Sequence, residues 1–190
     1  NTALVLAARA GNVEVVNVLL AHGVPADAHS ASEEPASIAA ARAGRSAVIQ
    51  ALLARRGNPN ESARDGTTLL MLLAGSPDFS VAERLLSTGA DVSRKNEAGR
   101  SALWYAARAG NVRLATALVQ RGAAIDVADS DGLTPLAAAA GAGEAATVKL
   151  LLASGARVDT ATKHGDTPLL LAAAAGNAAT IDELLAGKVD

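Results

Sequence analysis

The stretch GLTPLAAAAGAGEAATVKLLLASGA, residues 132–156, contains the features that determine the fold. Thr134 precedes a proline and a short alanine-rich run that ends at Gly143, and a second apolar stretch with helical spacing then runs to Gly155. Threonine is a good helix cap, proline is tolerated in the first helical turn, and glycine commonly ends a helix. The stretch therefore predicts two short helices joined by a tight turn.

The same pattern recurs six times at a constant spacing of 33 residues. A leucine column marks the second helix of each unit: Leu19, Leu52, Leu85, Leu118, Leu151 and Leu184. An alanine column marks the first helix: Ala8, Ala41, Ala74, Ala107, Ala140 and Ala173. Neither helix of such a unit buries its apolar face alone, so we expect the units to stack on one another and to share a continuous core.

This pattern resembles the ankyrin repeat over essentially the whole chain. The resemblance implies an all-α ankyrin-repeat solenoid of helix pairs with hairpin-like fingers, in which partners bind the finger tips and the concave helix face. We expect a single domain over residues 1–190, whose first repeat lacks its finger. The predicted repeats are approximately 1–29, 30–62, 63–95, 96–128, 129–161 and 162–190.

Several positions depart from the family pattern. The position three residues after the cap, where the family usually has histidine, holds other residues: Val5, Ile38, Met71, Trp104, Ala137 and Leu170. We expect apolar packing to replace the polar tie between that histidine and the cap in all six units. The second unit has Pro35 at its cap, Ser37 at a core leucine position and Arg56 where glycine ends the helix. We expect an irregular loop over 24–34, and a reshaped turn around Pro77 in the third unit.

Composition excludes several classes of function. The chain has 17 basic and 19 acidic residues, a net charge of −2, and no basic cluster, which argues against a nucleic-acid partner. The absence of cysteine excludes disulfides, zinc–thiolate sites and thiol chemistry. No apolar run reaches the roughly 18 residues of a membrane-spanning helix, so we expect no membrane insertion.

The start of the chain bears on localisation. No leader is recognisable, and the cytoplasm is the default expectation, but the chain begins without methionine, so a leader could have been removed from a secreted or periplasmic protein. The first unit also has no polar face of the kind that closes a stack. We therefore expect further structure to precede Asn1 in the parent protein.

No residue pattern predicts catalysis, a cofactor or a metal. The three histidines do not take the spacing of a helical metal pair: His22, His29 and His164. Asp126, Asp129 and Asp131 precede Gly132 in a finger, but the glycine comes too early for a calcium loop and no bidentate glutamate follows. We predict that the chain is not an enzyme.

Candidate partner-binding residues follow from the finger and first-helix columns of the resembled family. They are Arg64, Asp65, Thr67, Glu97, Arg100, Trp104, Tyr105, Arg108, Ser130, Asp131, Leu133, Lys163 and His164. Two of the three aromatics and two arginines concentrate in the fourth unit, and these residue types dominate interface hot spots. The alternative is that Trp104 and Tyr105 fill space beside small neighbours in the stack, and that the charged residues are simply solvated.

These observations predict a monomeric protein-binding module that is part of a larger protein. Two alternatives stay open. The chain could be an inhibitor or immunity-type protein that blocks a partner enzyme, which a patch of matched charge along the fingers would support. It could also be an architectural spacer without a ligand of its own, which would have a featureless concave face.

Overall fold

The computed structural model describes residues 2–29, 34–76 and 78–187, and these residues form twelve α-helices and no strand. The fold is the all-α ankyrin type that the sequence predicts. The chain divides into two compact units, Asn1–Asp91 and Val92–Asp190, here called unit 1 and unit 2. The single domain and the repeat bounds stay predictions. No helix in the described ranges is long and apolar enough to cross a membrane.

Each unit contains three helix pairs. Unit 1 has α1 (Ala3–Ala10), α2 (Val13–Ala21), α3 (Ala36–Arg42), α4 (Ser46–Ala54), α5 (Leu69–Leu72) and α6 (Phe79–Ser87). Unit 2 has α7 (Ala102–Arg108), α8 (Val112–Gln120), α9 (Pro135–Ala142), α10 (Ala145–Ala153), α11 (Pro168–Ala174) and α12 (Ala178–Ala186). In unit 2 the first helices α7, α9 and α11 pack in sequence, as do the second helices α8, α10 and α12.

The helix boundaries lie where the cap and glycine columns predict them. The Thr134 hydroxyl accepts a hydrogen bond from the Ala137 backbone N–H at 3.2 Å, and Pro135 occupies the first helical turn. Gly143 then ends α9 with a left-handed φ of 79°, a conformation that a side chain disfavours. Four more first helices carry the same side-chain cap: Thr2, Thr68, Ser101 and Thr167.

The finger segments are hairpins, as expected. The Asp129 N–H donates to the Leu133 carbonyl at 3.1 Å, and equivalent bonds close the fingers at Asn96, Ala63 and Thr162. Adjacent fingers of unit 2 are also joined by their backbones: Ser130 N–H donates to Ala98 O at 2.8 Å. This bond and its repeat one finger later align the three fingers of unit 2.

The apolar residues at the position where the family usually has histidine differ in their burial and contacts. Val5, Ile38 and Ala137 are fully buried, as the packing expectation requires. The expectation that the polar tie is lost throughout is wrong at Met71, whose sulfur accepts a hydrogen bond from the Thr68 N–H at 3.4 Å. The expectation of apolar packing is also wrong at Leu170, because this side chain is 55% exposed.

The predicted irregular loop over 24–34 and the predicted reshaped turn around Pro77 agree with the structure in the residues that it describes. Residues 24–29 contain no helix, and residues 30–33 of the predicted loop lie outside the described residues. In the third pair, α5 is a single turn that continues as a 3-10 turn at Leu73–Gly75, so the junction is reshaped. Pro77 itself lies outside the described residues.

The serine at a core leucine position has a buried partner. Ser37 donates its hydroxyl proton to Oε2 of Glu61, which is 7% exposed, and Oε1 of Glu61 has no hydrogen-bond partner. Burial raises the pKa of Glu61, and the nearby charge of Asp27 raises it further, whereas the Ser37 hydrogen bond and His29 oppose the shift. A carboxyl that resists ionisation in the fold weakens the fold when it must ionise.

We expect Glu61→Gln to be more stable than the natural chain at pH 7. The raised pKa means that the contribution of Glu61 to stability is fully present below its unfolded value of 4.5 and is lost as the pH rises through the folded value. The variant should therefore lose less stability than the natural chain between pH 4.5 and pH 7. Urea unfolding of both proteins across this window checks the prediction, and parallel pH profiles would contradict it.

Arg56 is the only described non-glycine residue with a positive φ, at 61°. It stands where other units have a helix-ending glycine, as the sequence indicates. Gly57, one place later, does not take the left-handed conformation, and its own role is to let the chain pass the Leu52 carbonyl oxygen, from which a Cβ would lie 2.8 Å. The helix end at α4 is thus held by a residue in a strained conformation.

Replacing Arg56 with glycine should stabilise the chain by about 1 kcal/mol, because glycine adopts a left-handed φ without the side-chain clash. The midpoint of urea unfolding measures the change. Gly57→Ala is the matched control and should be destabilising, since its Cβ meets the Leu52 backbone. A less stable Arg56→Gly variant would show that the Arg56 side chain contributes more than the strain costs.

Candidate functional site

Trp104 is the centre of the fourth helix pair. It lies in α7 after the Ser101 cap, and its side chain is 1% exposed. Its indole N–H donates to the Leu133 carbonyl at 3.1 Å, which joins α7 to the following finger. The tie that the family makes with histidine is therefore replaced here by a tryptophan hydrogen bond to the next repeat, which contradicts the expected purely apolar packing.

Two arginines and a tyrosine surround the Trp104 ring. The guanidinium carbons of Arg100 and Arg108 lie 4.4 Å and 5.6 Å from the ring centroid, within cation–π range. Tyr105 meets the ring edge-on at 5.2 Å, and its hydroxyl accepts from the Asn96 side-chain amide at 3.0 Å. These contacts hold the aromatic pair in one arrangement.

Asp129 locks the neighbouring finger. Its buried carboxylate accepts from Nε of Arg100 at 3.0 Å and from the backbone N–H groups of Asp131 and Leu133, both at 3.0 Å. Burial lowers the pKa of Arg100, but the hydrogen bonds and charges of Asp129 and, to a smaller extent, Tyr105 more than offset this, so the Arg100 pKa lies above its usual value. Both oxygens of Asp129 already face donors, so this aspartate organises the finger.

Arg100, Trp104, Tyr105, Arg108 and Leu133 are here called the Trp104 cluster, and a groove of about 280 Å³ lies beside them, on the first helices of unit 2. Its walls come from α7, α9, α11 and the finger that ends at Leu133, and most of its lining is alanine or leucine. The lining residues are Arg108, Leu133, Ala137, Ala138, Gly141, Ala142 and Leu171. Arg108 and Leu133 belong to both the cluster and the groove, so the rigid cluster forms one edge of an open apolar surface.

The predicted binding residues have different environments. The structure brings Arg100, Trp104, Tyr105, Arg108 and Leu133 together in unit 2. The other predicted finger residues of unit 2 are all exposed: Glu97, Ser130, Asp131, Lys163 and His164.

Three predicted residues lie in the last finger of unit 1. Arg64 and Asp65 are exposed, whereas Thr67 is buried, with its N–H and hydroxyl bound to the Asp65 carboxylate at 3.0 and 2.9 Å. The Thr67 backbone hydrogen bond lowers the pKa of Asp65. Thr67 therefore shapes the finger from inside, and only Arg64 and Asp65 of this group present side chains at the surface.

Burial changes the interpretation of Trp104. A side chain that is 1% exposed does not present a contact surface, so the position of Trp104 agrees with the alternative that this residue fills space in the stack. Tyr105, in contrast, is half-buried, and Arg108 is exposed. Several participants were not predicted from the sequence: Asn96, Asp129, Ala138, Gly141 and Leu171. The sequence did contain a signal for Gly141, because this glycine stands at a repeat position that holds arginine in three other units: Arg9, Arg42 and Arg108.

Trp104→Ala should reduce the free energy of unfolding by about 3–5 kcal/mol, the usual range for removing a buried aromatic. Trp104→Phe keeps most of the ring but leaves the Leu133 carbonyl without its donor, at a cost of about 1–3 kcal/mol. Urea unfolding of the two variants gives both numbers. A loss below about 1 kcal/mol for the alanine variant would mean that the ring packs weakly and is free to contact a partner.

The helix pairs, the capped first helices and the aligned fingers agree with comparison to known families. The model of the family "Ankyrin repeats" matches in three copies, at residues 1–63, 36–129 and 110–190, which together span the chain. No curated protein matches the chain significantly. The chain belongs to the ankyrin-repeat family.

Proposed function

We propose that the chain is a protein-binding module that holds its partner through the finger tips of unit 2 and the exposed face of α7, α9 and α11. Ankyrin repeats are in general protein–protein interaction modules without enzymatic activity, so this proposal narrows the general role of the family to one surface. The observation that carries it is the open apolar groove beside the rigid Trp104 cluster.

Pre-organisation supports the proposal. The Asp129 carboxylate, the Trp104 hydrogen bond and the backbone bonds between fingers hold this surface before any partner arrives. A surface that is already ordered loses little conformational entropy on binding, so more of the contact energy contributes to affinity. A spacer without a ligand has no need of an exposed apolar groove with an arginine at its edge.

The finger charges are of both signs. Glu97 and Asp131 are exposed in the same unit as Lys163. The uniform charge patch that would favour an inhibitor of a strongly charged enzyme site is therefore not formed by these fingers. The inhibitor or immunity-type role stays an alternative, and the monomeric state stays a prediction.

The test is affinity capture with the full chain from its native source, identification by mass spectrometry, and calorimetry with the purified partner. The finger variant combines Asp131→Lys with Lys163→Glu, which inverts the surface charges and preserves the net charge. It spares the 2.9 Å bond between the Lys163 N–H and the Asp131 carbonyl, because that bond is made by the backbone. We expect it to weaken binding at least about tenfold, or 1.4 kcal/mol.

The matched control swaps an ion pair on the second helices of the same unit, Lys149→Glu with Glu183→Lys. Its partners are 3.2 Å apart and solvent-exposed in part, so the swap should leave stability and binding nearly unchanged. Equal loss of affinity in both swapped variants would place the interface elsewhere. Failure of the full chain to retain any protein above bare resin would contradict the proposed function.

A further inference from the structure

The first helices of unit 2 expose an apolar surface with a single charge. Among the residues of α7, α9 and α11, Arg108 is the only charged one. The groove described above crosses these helices, and Leu170, 55% exposed, also lies on α11. A surface of this kind is matched by an apolar segment that carries an acid.

Gly141 is not required by the fold. It lies inside α9 without a positive φ, where glycine is among the least favourable residues. A Cβ at this position would meet only the Cβ of Leu171, at an ordinary contact distance of 3.7 Å. Alanine would therefore fit and favour the helix, and the effect of the glycine is to deepen the groove that it lines.

The size of the groove limits its occupant. Its volume of about 280 Å³ is at the lower edge of the range of roughly 300–1,000 Å³ for pockets that hold free small molecules. Aliphatic side chains of Leu133, Ala138 and Leu171 line it, without an aromatic face for a ring to stack on. These properties fit one aliphatic side chain from a larger partner.

Arg108 supplies the polar part of the recognition. Its exposed guanidinium lies over the Trp104 ring, and no carboxylate pairs with it within residues 2–29, 34–76 and 78–187. One of the two arginines at the same repeat position in unit 1, Arg42, is paired with Glu34 at 2.8 Å, and Arg100 is paired with Asp129. Arg108 is thus held in place by an aromatic ring while its N–H donors face solvent, an arrangement suited to a carboxylate.

We propose that this groove binds a partner segment in which an aliphatic side chain enters beside Gly141 and an adjacent aspartate or glutamate pairs with Arg108. The inference rests on the proposed protein-binding function and names the chemistry of the partner. Two exposed finger residues, Asp131 and Lys163, carry charges of opposite sign, and a backbone hydrogen bond joins them. Because their charges offset each other, Arg108 is the dominant charge at the groove.

A random-peptide display library, with the peptides tethered at their C-termini so that no free terminal carboxylate is offered, tests the proposal. The baits are the full natural chain, Arg108→Gln, Gly141→Leu and Gly75→Leu. Gly75 occupies the same repeat position in unit 1 and would also admit a Cβ, so it is the matched control. We expect the natural chain and Gly75→Leu to enrich peptides with Leu, Ile, Val or Met next to Asp or Glu.

Purified peptides from this selection give the quantitative test. Arg108→Gln should weaken the binding of a selected peptide about tenfold, because a charged hydrogen-bonded pair is lost. A peptide in which the aspartate is replaced by asparagine should bind the natural chain about tenfold more weakly, and Arg108→Gln should weaken its binding no further. Gly141→Ala should raise the midpoint temperature of unfolding while it lowers the affinity for the peptide. A folding defect does not produce these two opposite effects. The fluorescence of Trp104, the only tryptophan, should follow peptide binding in the groove. Its indole N–H is bonded to the Leu133 carbonyl, and Leu133 lines the groove.

Each failure has a distinct meaning. Peptides that are enriched but lack the acid, or that bind Arg108→Gln and Gly141→Leu as well as the natural chain, would overturn this inference and leave the protein-binding function standing. No enrichment by any bait would count against both. Concentration-dependent dimerisation that Arg108→Gln abolishes would make a second copy the occupant and would also overturn the inference.

Discussion

The packing of one short helix pair on the next is the constraint on which the rest of the structure depends. The first helices of unit 2 are only seven or eight residues long, and helices of this length are not stable in water by themselves. They persist because α9 buries leucine and alanine while packing on both α7 and α11, and because a threonine or serine cap satisfies N–H groups at the start of each helix. The caps, the left-handed glycines and the alanine column all serve this close approach.

The stack tolerates departures from its pattern where a neighbour compensates for them. Ser37 loses a leucine contact but finds the buried carboxyl of Glu61, and Met71 supplies a sulfur acceptor where the family has histidine. Arg56 adopts the conformation that glycine would take, and strain at that helix end is the consequence. These three changes lie in unit 1, whereas unit 2 keeps its columns and places its exceptional residues at the candidate site.

In unit 2 the same interactions support the fold and prepare the surface. Trp104 joins α7 to the next finger from the interior, and Asp129 links Arg100 to the backbone of that finger. What remains at the surface is the outer layer of this network: Arg108 over the ring, Leu133 at the finger end and the groove floor at Gly141. Buried residues thus determine the position of exposed ones, and the exposed ones are available to a partner.

The sequence by itself determined the repeat frame, the helix pairs, their caps and their glycine ends, because these depend on residues close together in the chain. It also identified Arg100, Trp104, Tyr105 and Arg108 as one group, since they share a helix and its finger. Only the tertiary structure decided that Trp104 is interior and that Ser37 meets Glu61. It also decided that Arg42 and Arg100 each pair with a carboxylate, whereas no carboxylate of the described residues pairs with Arg108. The positions of Trp104 and Ser37 depend on contacts between residues 24 to 29 positions apart, whose side-chain directions are set by packing between repeats and not by local propensity.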